Sequence, residues 1–504
     1  MTKFYLTTAI DYSNGDPHLG HALEKVGADA IARWHRLRGD SVHFLMGMDE
    51  NAQKVIQAAE AAGRTTAQWL DAMSERFEAM WQRLGCSNDI WMRTTEPRHA
   101  RAVTALIEAI RAKHPDDLFV GDYEGWYCLG CEEFKAESQI VDGRCIEHPS
   151  RELLKTKERN TFVRLSRWRD RVLDAITSGA FRVEPEIRRN EILRILEGGL
   201  QDISISRSRA AWGIPFPGTE DETVYVWFDA LINYLSATGY PDAAYTDLWP
   251  AELHVVGKGI TRFHCIIWPA MLLAAGITLP KRVWAHGYVQ WGGAKVSKSE
   301  GTSVSLDEAI ERHGSDALRW FLLREIGFEH DGDFTFERFD ASYESELANG
   351  IGNLASRVTA MIEKYRGGVV PVADRGELDG RSAAALSAFA ATFDGNDLQG
   401  AAEAISALVH DADGYITMAA PWTLAKNSDD AKLDVVLGDL AHCLVRLAVM
   451  TSPFMPAKAA TLWDALARTA PLDSAAAWQE AISPTIAGAK VRKPENLFPR
   501  NSSS

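Results

Sequence analysis

The sequence predicts an α/β chain built in two parts, a parallel sheet split by an inserted block and then an all-helical bundle. Three observations carry that prediction. Residues 3–49 read as strand ("KFYLTTAI"), glycine-bearing turn, helix ("HALEKVGADAIARWHRLRG") and strand ("VHFLMGMDE"), a βαβ unit whose right-handed crossover implies a parallel sheet. The pattern resumes at "TVYVWFDALINYLSATG", "ELHVVGKGITRFHCIIWPAMLLAAG" and "RVWAHGYVQWGG", beyond an aromatic, charged and Cys-bearing stretch that runs to about residue 215. From about Ser342 onward Ala and Leu recur at helical spacing ("SELANGIGNLASRVTAMIEKYRGG"), with no alternating strands of note.

In chain order, residues 1–114 form the first half of the sheet, 115–215 the insertion, 216–290 the second half, 291–341 a lysine-bearing loop with the region after it, and 342–504 the bundle. The first helix repeats apolar residues at Val26, Ala30 and Trp34 and stops at Gly39, the residue type that favours a helix end. With the insertion between them, the two half-sheets are expected to face each other across a cleft.

At 504 residues the chain exceeds one core, and roughly 150 residues per domain gives three or four. A composition of 46% hydrophobic and 24% charged residues is that of an ordinary globular protein. Net charge −15 argues against a protein that coats DNA, so a nucleic-acid partner must be met by a local face. The longest apolar run, "IIWPAMLLAAGI", contains Pro and falls short of the roughly 20 residues a spanning helix needs, so no membrane segment is expected. The N-terminus reads as a strand and not a signal peptide, which predicts a cytoplasmic protein.

Four potential metal ligands stand as Cys128-x-x-Cys131 and Cys145-x-x-His148. Two close pairs joined by a short hairpin suit tetrahedral zinc, and four protein ligands leave no open position, so the zinc is expected to be structural. Cys86, Cys265 and Cys443 read as ordinary buried thiols.

His18-Leu19-Gly20-His21 falls where a turn becomes a helix. Helix starts offer unpaired N–H groups and a positive dipole end, Gly20 leaves room for a ligand, and two imidazoles can donate to a phosphoryl group in its transition state. No G-x-x-x-x-G-K-[ST] loop occurs in the chain. In "GGAKVSKSEGTSVS" (292–305), Lys295 and Lys298 follow a Gly-Gly turn, as a mobile phosphate clamp requires. Asp49 ends a strand at the mouth of the parallel sheet, where ligands of α/β folds bind.

H-x-G-H after the first strand and K-x-S-K-S after the last resemble the two nucleotide signatures of class I aminoacyl-tRNA synthetases. "YVWFDALINY" (225–234), "GKGITRFHCIIWPAML" (257–272), the Cys cluster, "GNLASR" (352–357), "APWTLAK" (420–426) and the closing "PENLFPR" resemble the methionyl-tRNA synthetase family along nearly the whole chain. The resemblance implies a split Rossmann-like catalytic domain, a connective domain with a zinc knuckle and an anticodon-binding helical bundle. It implies ATP-dependent ligation of L-methionine to tRNA(Met) through methionyl-adenylate, with release of pyrophosphate and AMP, for initiation and elongation. Carried onto matching positions, Ile10, Tyr12, Trp227, Ala230, Leu231, Tyr234 and His264 line the methionine pocket, and Asp49 holds the α-amino group. His18, Gly20, His21, Lys258, Lys295 and Lys298 meet ATP, which brings Mg²⁺; His18, His21, Lys295 and Lys298 act in catalysis.

In the bundle, Asn353 and Arg357 stand four apart and share a helix face, and Trp422 follows Pro421 at a helix start. By resemblance these three read the anticodon CAU, the Trp by stacking on a base. Asp11 stands where Pro is frequent in the family, Val296 where Met is usual, Gly259 where many members carry Asp, and Asn51-Ala52 where His-Gly is familiar. A monomer is expected. The alternative, a tRNA-binding protein that keeps the scaffold without catalysis, is disfavoured by the intact His18, His21 and Lys298.

Overall fold

The computed structural model describes residues 2–128, 133–135, 140–146, 148–208, 212–291, 294–295, 305–495 and 497–500. Its centre is a seven-stranded sheet of β1 (Lys3–Thr8), β2 (Asp11–Tyr12), β3 (Ser41–Asp49), β4 (Ile90–Arg93), β5 (Arg182–Glu184), β6 (Leu253–Gly257) and β7 (Arg282–His286). Every pairing is parallel, in the order β5-β7-β6-β1-β3, with β2 and β4 both on β3. The strands are apolar on both faces because helices cover both, as the burial of five of the six β1 residues shows.

The two halves do not face each other across a cleft as expected. Leu6 of β1 pairs with Phe44 of β3 on one edge and with Leu253 of β6 on the other, so they join into one hydrogen-bonded sheet. The chain leaves β1 toward β3 and later returns on the opposite side at β6. The crevice therefore opens at the carboxyl ends of β1 and β6, the switch point of the topology.

Helix α1 (Leu19–Leu37) connects β1 and β2 to β3 and is buried along most of its length. It packs so closely on its neighbour that a Cβ at Gly27 would lie 2.1 Å from Cε2 of Phe328. Gly39 follows it with φ +86°, the left-handed turn expected of a glycine there.

The stretch 115–215 does not stand apart throughout, as a pure insertion would. A ribbon of Leu118–Cys128 against Leu154–Val163 projects with Glu133–Lys135 and Ile203–Ser204, beside a small sheet of Ile140–Val141, Arg144–Cys145 and His148–Glu152. Between them β5 enters the main sheet, and Trp168, Val172, Ile176, Phe181 and Leu196 share one core with Ile266 and Leu272. The reason is local: apolar residues at helical spacing in Arg169–Thr177 and Glu186–Glu197 pack on β5 and on the helix after β6.

A three-stranded sheet of Ala294–Lys295, Val289–Trp291 and Gly332–Phe334 leads to the bundle. Its long helices are Asn353–Arg366, Glu377–Asp394, Leu398–Ala419 and Asp430–Thr451. The expected start at Ser342 falls inside a continuous helical run from Phe336 to Arg366, which includes a wide π turn at Tyr343–Gly352. Among the described residues no helix is long and apolar enough to cross a membrane.

Candidate active site

At the start of α1, His18 is the N-cap with extended backbone. Its Nδ1 accepts from the amides of Gly20 at 3.1 Å and His21 at 3.4 Å, while Nδ1 of His21 accepts from the amide of His18 at 3.3 Å. The rings stack at 3.7 Å. Two expectations change here. The amides of Gly20 and His21 are not left open for phosphate, because the His18 imidazole itself caps them. Gly20 makes room for His18, whose Cε1 would lie 3.1 Å from a Cβ there. Since each Nδ1 accepts, each ring carries its proton on Nε2.

Across the crevice, Trp227 on helix Val226–Ser236 stacks on Phe263 at 4.6 Å and lies near-parallel to Tyr12 at 6.5 Å. Ala230, Leu231 and Tyr234 of the same helix are buried. Tyr234 Oη meets Nε2 of His264 at 2.7 Å, and Nδ1 of His264 meets the carbonyl of Ile260 at 3.0 Å. A carbonyl only accepts, so Nδ1 carries the proton and Nε2 accepts from the phenol. Burial drives His264 down to about 4, so the ring is neutral near pH 7. Ile10 falls in the break between β1 and β2. Asp49 ends β3, is 3% exposed, and its carbonyl accepts from the amide and hydroxyl of Ser13.

Phe263 was not among the residues the sequence singled out; its place immediately before His264 was the signal available. Lys258 sits just past β6, but its ammonium is held by both oxygens of Asp331 at 2.6 and 2.7 Å, above the ring of Tyr288. At Gly259 a Cβ would lie 2.1 Å from Oη of Tyr288, so the tyrosine fills the space of a side chain there. Lys295 pairs through its backbone with Gln290, and Lys298 lies outside the described residues.

Of the expected zinc ligands, Cys128 and Cys145 are buried in one small cluster with Leu153, and His148 pairs in register with Cys145. Cys131 lies outside the described residues, among which no group of three or more His, Cys, Asp or Glu is arranged to hold a metal. In the bundle, Arg357 is bound to Asp413 at 2.6 Å, Asn353 is partly exposed, and Trp422 is 50% exposed where Trp463 and Trp478 are buried.

A family profile described as tRNA synthetases class I (M) matches residues 4–359, and one described as the anticodon binding domain of methionyl tRNA ligase matches 371–503. The chain belongs to the methionyl-tRNA synthetase family. It is 40% identical to the methionine--tRNA ligase of Streptomyces coelicolor over 99% of this chain and 96% of that protein. It is 40% identical to that of Thermotoga maritima over 90% of this chain and 73% of that one. The structure of Mycobacterium tuberculosis methionyl-tRNA synthetase in complex with methionyl-adenylate superposes with a TM-score of 0.93 at 37% identity, covering 99% of this chain and 100% of that one. The activity is accordingly that of a class I synthetase, which activates methionine and charges tRNA.

Within this family scaffold a polar cluster is buried behind the pocket helix. Asp229 is fully buried, neither of its oxygens has a hydrogen-bond partner among the described residues, and burial pushes it far above the ordinary carboxylate range. His99 approaches it at 3.8 Å, and burial lowers that imidazole to about 3. A neutral acid and a neutral imidazole avoid the cost of two buried charges.

Proposed function

We propose that ATP and L-methionine meet at the carboxyl ends of β1 and β6, with the methionine side chain against Tyr12, Trp227, Tyr234 and His264 and its α-amino group on Asp49. The observation that carries this reading is the layered stack of Tyr12, Trp227 and Phe263 beside the neutral Tyr234–His264 pair. A flexible thioether gains sulfur–aromatic contact there as well as burial. Ile10, Ala230 and Leu231 complete the apolar wall.

A methionine carboxylate oxygen attacks the α-phosphorus, the bond from that phosphorus to the bridging oxygen breaks, and pyrophosphate leaves. His18 and His21 donate from Nε2 to the phosphate oxygens as charge shifts onto them, and Lys295 and Lys298 supply a pair of cations for that charge. Holding both reactants in line supplies much of the rate, and no side chain acts as a nucleophile. Mg²⁺ bound with the phosphates screens their charge. The 2′-hydroxyl of the terminal adenosine of tRNA then attacks the methionyl carbonyl and AMP departs. Lys258, tied to Asp331, serves the nucleotide as part of a fixed wall.

Cys128, Cys131, Cys145 and His148 would hold a zinc ion that cross-links the small hairpins and takes no part in the reaction. The burial of Cys128 beside Cys145 and the thiolate-rich donor set fit that metal. Asn353, Arg357 and Trp422 serve the anticodon CAU, and the chain acts as a cytoplasmic monomer.

The test is ATP–pyrophosphate exchange measured with each amino acid, with Lys298→Ala alongside. Methionine alone is expected to give strong exchange, and the variant to lose it by about a hundredfold or more. Exchange that survives in Lys298→Ala would remove the lysine from the mechanism. Metal analysis is expected to return one zinc per chain, lost with Cys128→Ser.

A further inference from the structure

Lys25 lies on α1 one turn beyond His21 and is 1% exposed. Its ammonium is 2.6 Å from the carbonyl of Ala9, 2.9 Å from Oε1 of Glu24 and 3.0 Å from Oδ1 of Asp11. The second oxygen of Asp11, itself 2% exposed, accepts from Nε1 of Trp81 at 2.9 Å. The second oxygen of Glu24 meets Nε2 of His286 at 3.2 Å, at the end of β7. A buried ammonium is tolerated only when its donors are satisfied, and here three donors find three oxygens. Burial disfavours the charge, yet Asp11 and Glu24 together raise the Lys25 pKa above its ordinary value.

Two of those oxygens bracket a single residue. Ala9 and Asp11 flank Ile10, at the break where β1 gives way to β2 and the chain turns toward the crevice. Asp11 and Tyr12 then pair with Met48 and Asp49, so the break fixes where the Tyr12 ring stands relative to the carboxylate of Asp49. No other described cation is within hydrogen-bonding reach of that break.

We propose that Lys25 is a positioning residue for methionine: by clamping the Ala9 carbonyl and the Asp11 carboxylate on either side of Ile10, it sets the bend that presents Ile10 and Tyr12 to the substrate side chain. The proposal rests on the pocket assignment above. It separates Lys25 from His21, which shares its helix face but serves phosphate. The clamp therefore acts on methionine and leaves ATP alone.

The experiment is steady-state exchange on Lys25→Met, on Asp11→Asn and on the charge-free pair of Asp11→Leu with Lys25→Met, with melting temperatures measured in parallel. Replacing both charges by apolar groups is expected to restore the melting temperature lost in Lys25→Met. The pair variant still lacks a donor to Ala9, so KM for methionine is expected to stay about tenfold raised, with KM for ATP within about twofold of the parent. A folded pair variant with the parent KM for methionine overturns the proposal. Should neither Lys25 variant fold, Asp11→Asn decides: a rise of about threefold in KM for methionine supports the clamp, and an unchanged value overturns it. Tyr12→Ala separates the two ideas. If it raises KM for methionine while the Lys25 variants do not, only the clamp fails; if it leaves KM unchanged, the pocket assignment fails.

Discussion

At His264 the carbonyl of Ile260 takes the hydrogen bond of Nδ1, and burial lowers the imidazole to about 4. The folded value lies below the ordinary 6.5, so the unfolded chain binds a proton more readily. The stability that the neutral ring contributes is therefore present above pH 6.5 and lost as pH falls toward 4. An NMR titration should find this imidazole still neutral at pH 5.5; a midpoint near 6.5 would refute the burial argument. Tyr234→Phe removes the phenol that donates to Nε2 of His264, leaving a buried acceptor unmet at a cost of about 1–3 kcal/mol. Thermal unfolding and KM for methionine should both register it. The identities of these two residues were legible in "YVWFDALINY" and "GKGITRFHC" through resemblance. Their mutual hydrogen bond was not, since nothing in a linear sequence sets the direction of a side chain 30 residues away.

Among the elements, α1 carries the most consequence per residue. His18→Ala removes both the helix cap and an Nε2 donor, so it is expected to cost about 1 kcal/mol of stability and about a hundredfold in exchange rate. The two losses are separable by measuring melting temperature beside rate. Gly27→Ala drives a methyl into Phe328 and is expected to destabilise by about 1–3 kcal/mol without touching the ligand groups. The helix was plain in the sequence because its apolar period and terminal glycine agree. Strand β5 was not, because Arg182–Glu184 is three residues long, charged at both ends and held in the sheet by its partner β7. The capping of the Gly20 and His21 amides by His18, with His21 accepting from the amide of His18, was also hidden: the sequence places an anion site at any helix start, and only geometry shows the imidazoles already there.

Over the whole molecule, α1 is also the axle between the sheet and the bundle. Trp34 packs against Phe389, Phe393 and Trp478 of the helical part. Arg319 is fully buried, ion-paired with Asp29 of α1 at 2.7 Å, and donates to the carbonyls of Pro453 and Phe454 at 2.8 Å each. Arg319→Met strands part of that charge and is expected to cost about 3–5 kcal/mol, read as a lowered melting temperature. The sequence foretold a sheet and a bundle but not this joint, since "DALRWF" reads as an ordinary helix until its partners are known. The most direct measurement on the whole account is a crystal structure with methionine and a non-hydrolysable ATP analogue. It should place the triphosphate within hydrogen-bonding distance of Nε2 of both His18 and His21, with the thioether against Trp227 and Tyr234. A triphosphate bound elsewhere, with those imidazoles turned away from it, would contradict the account.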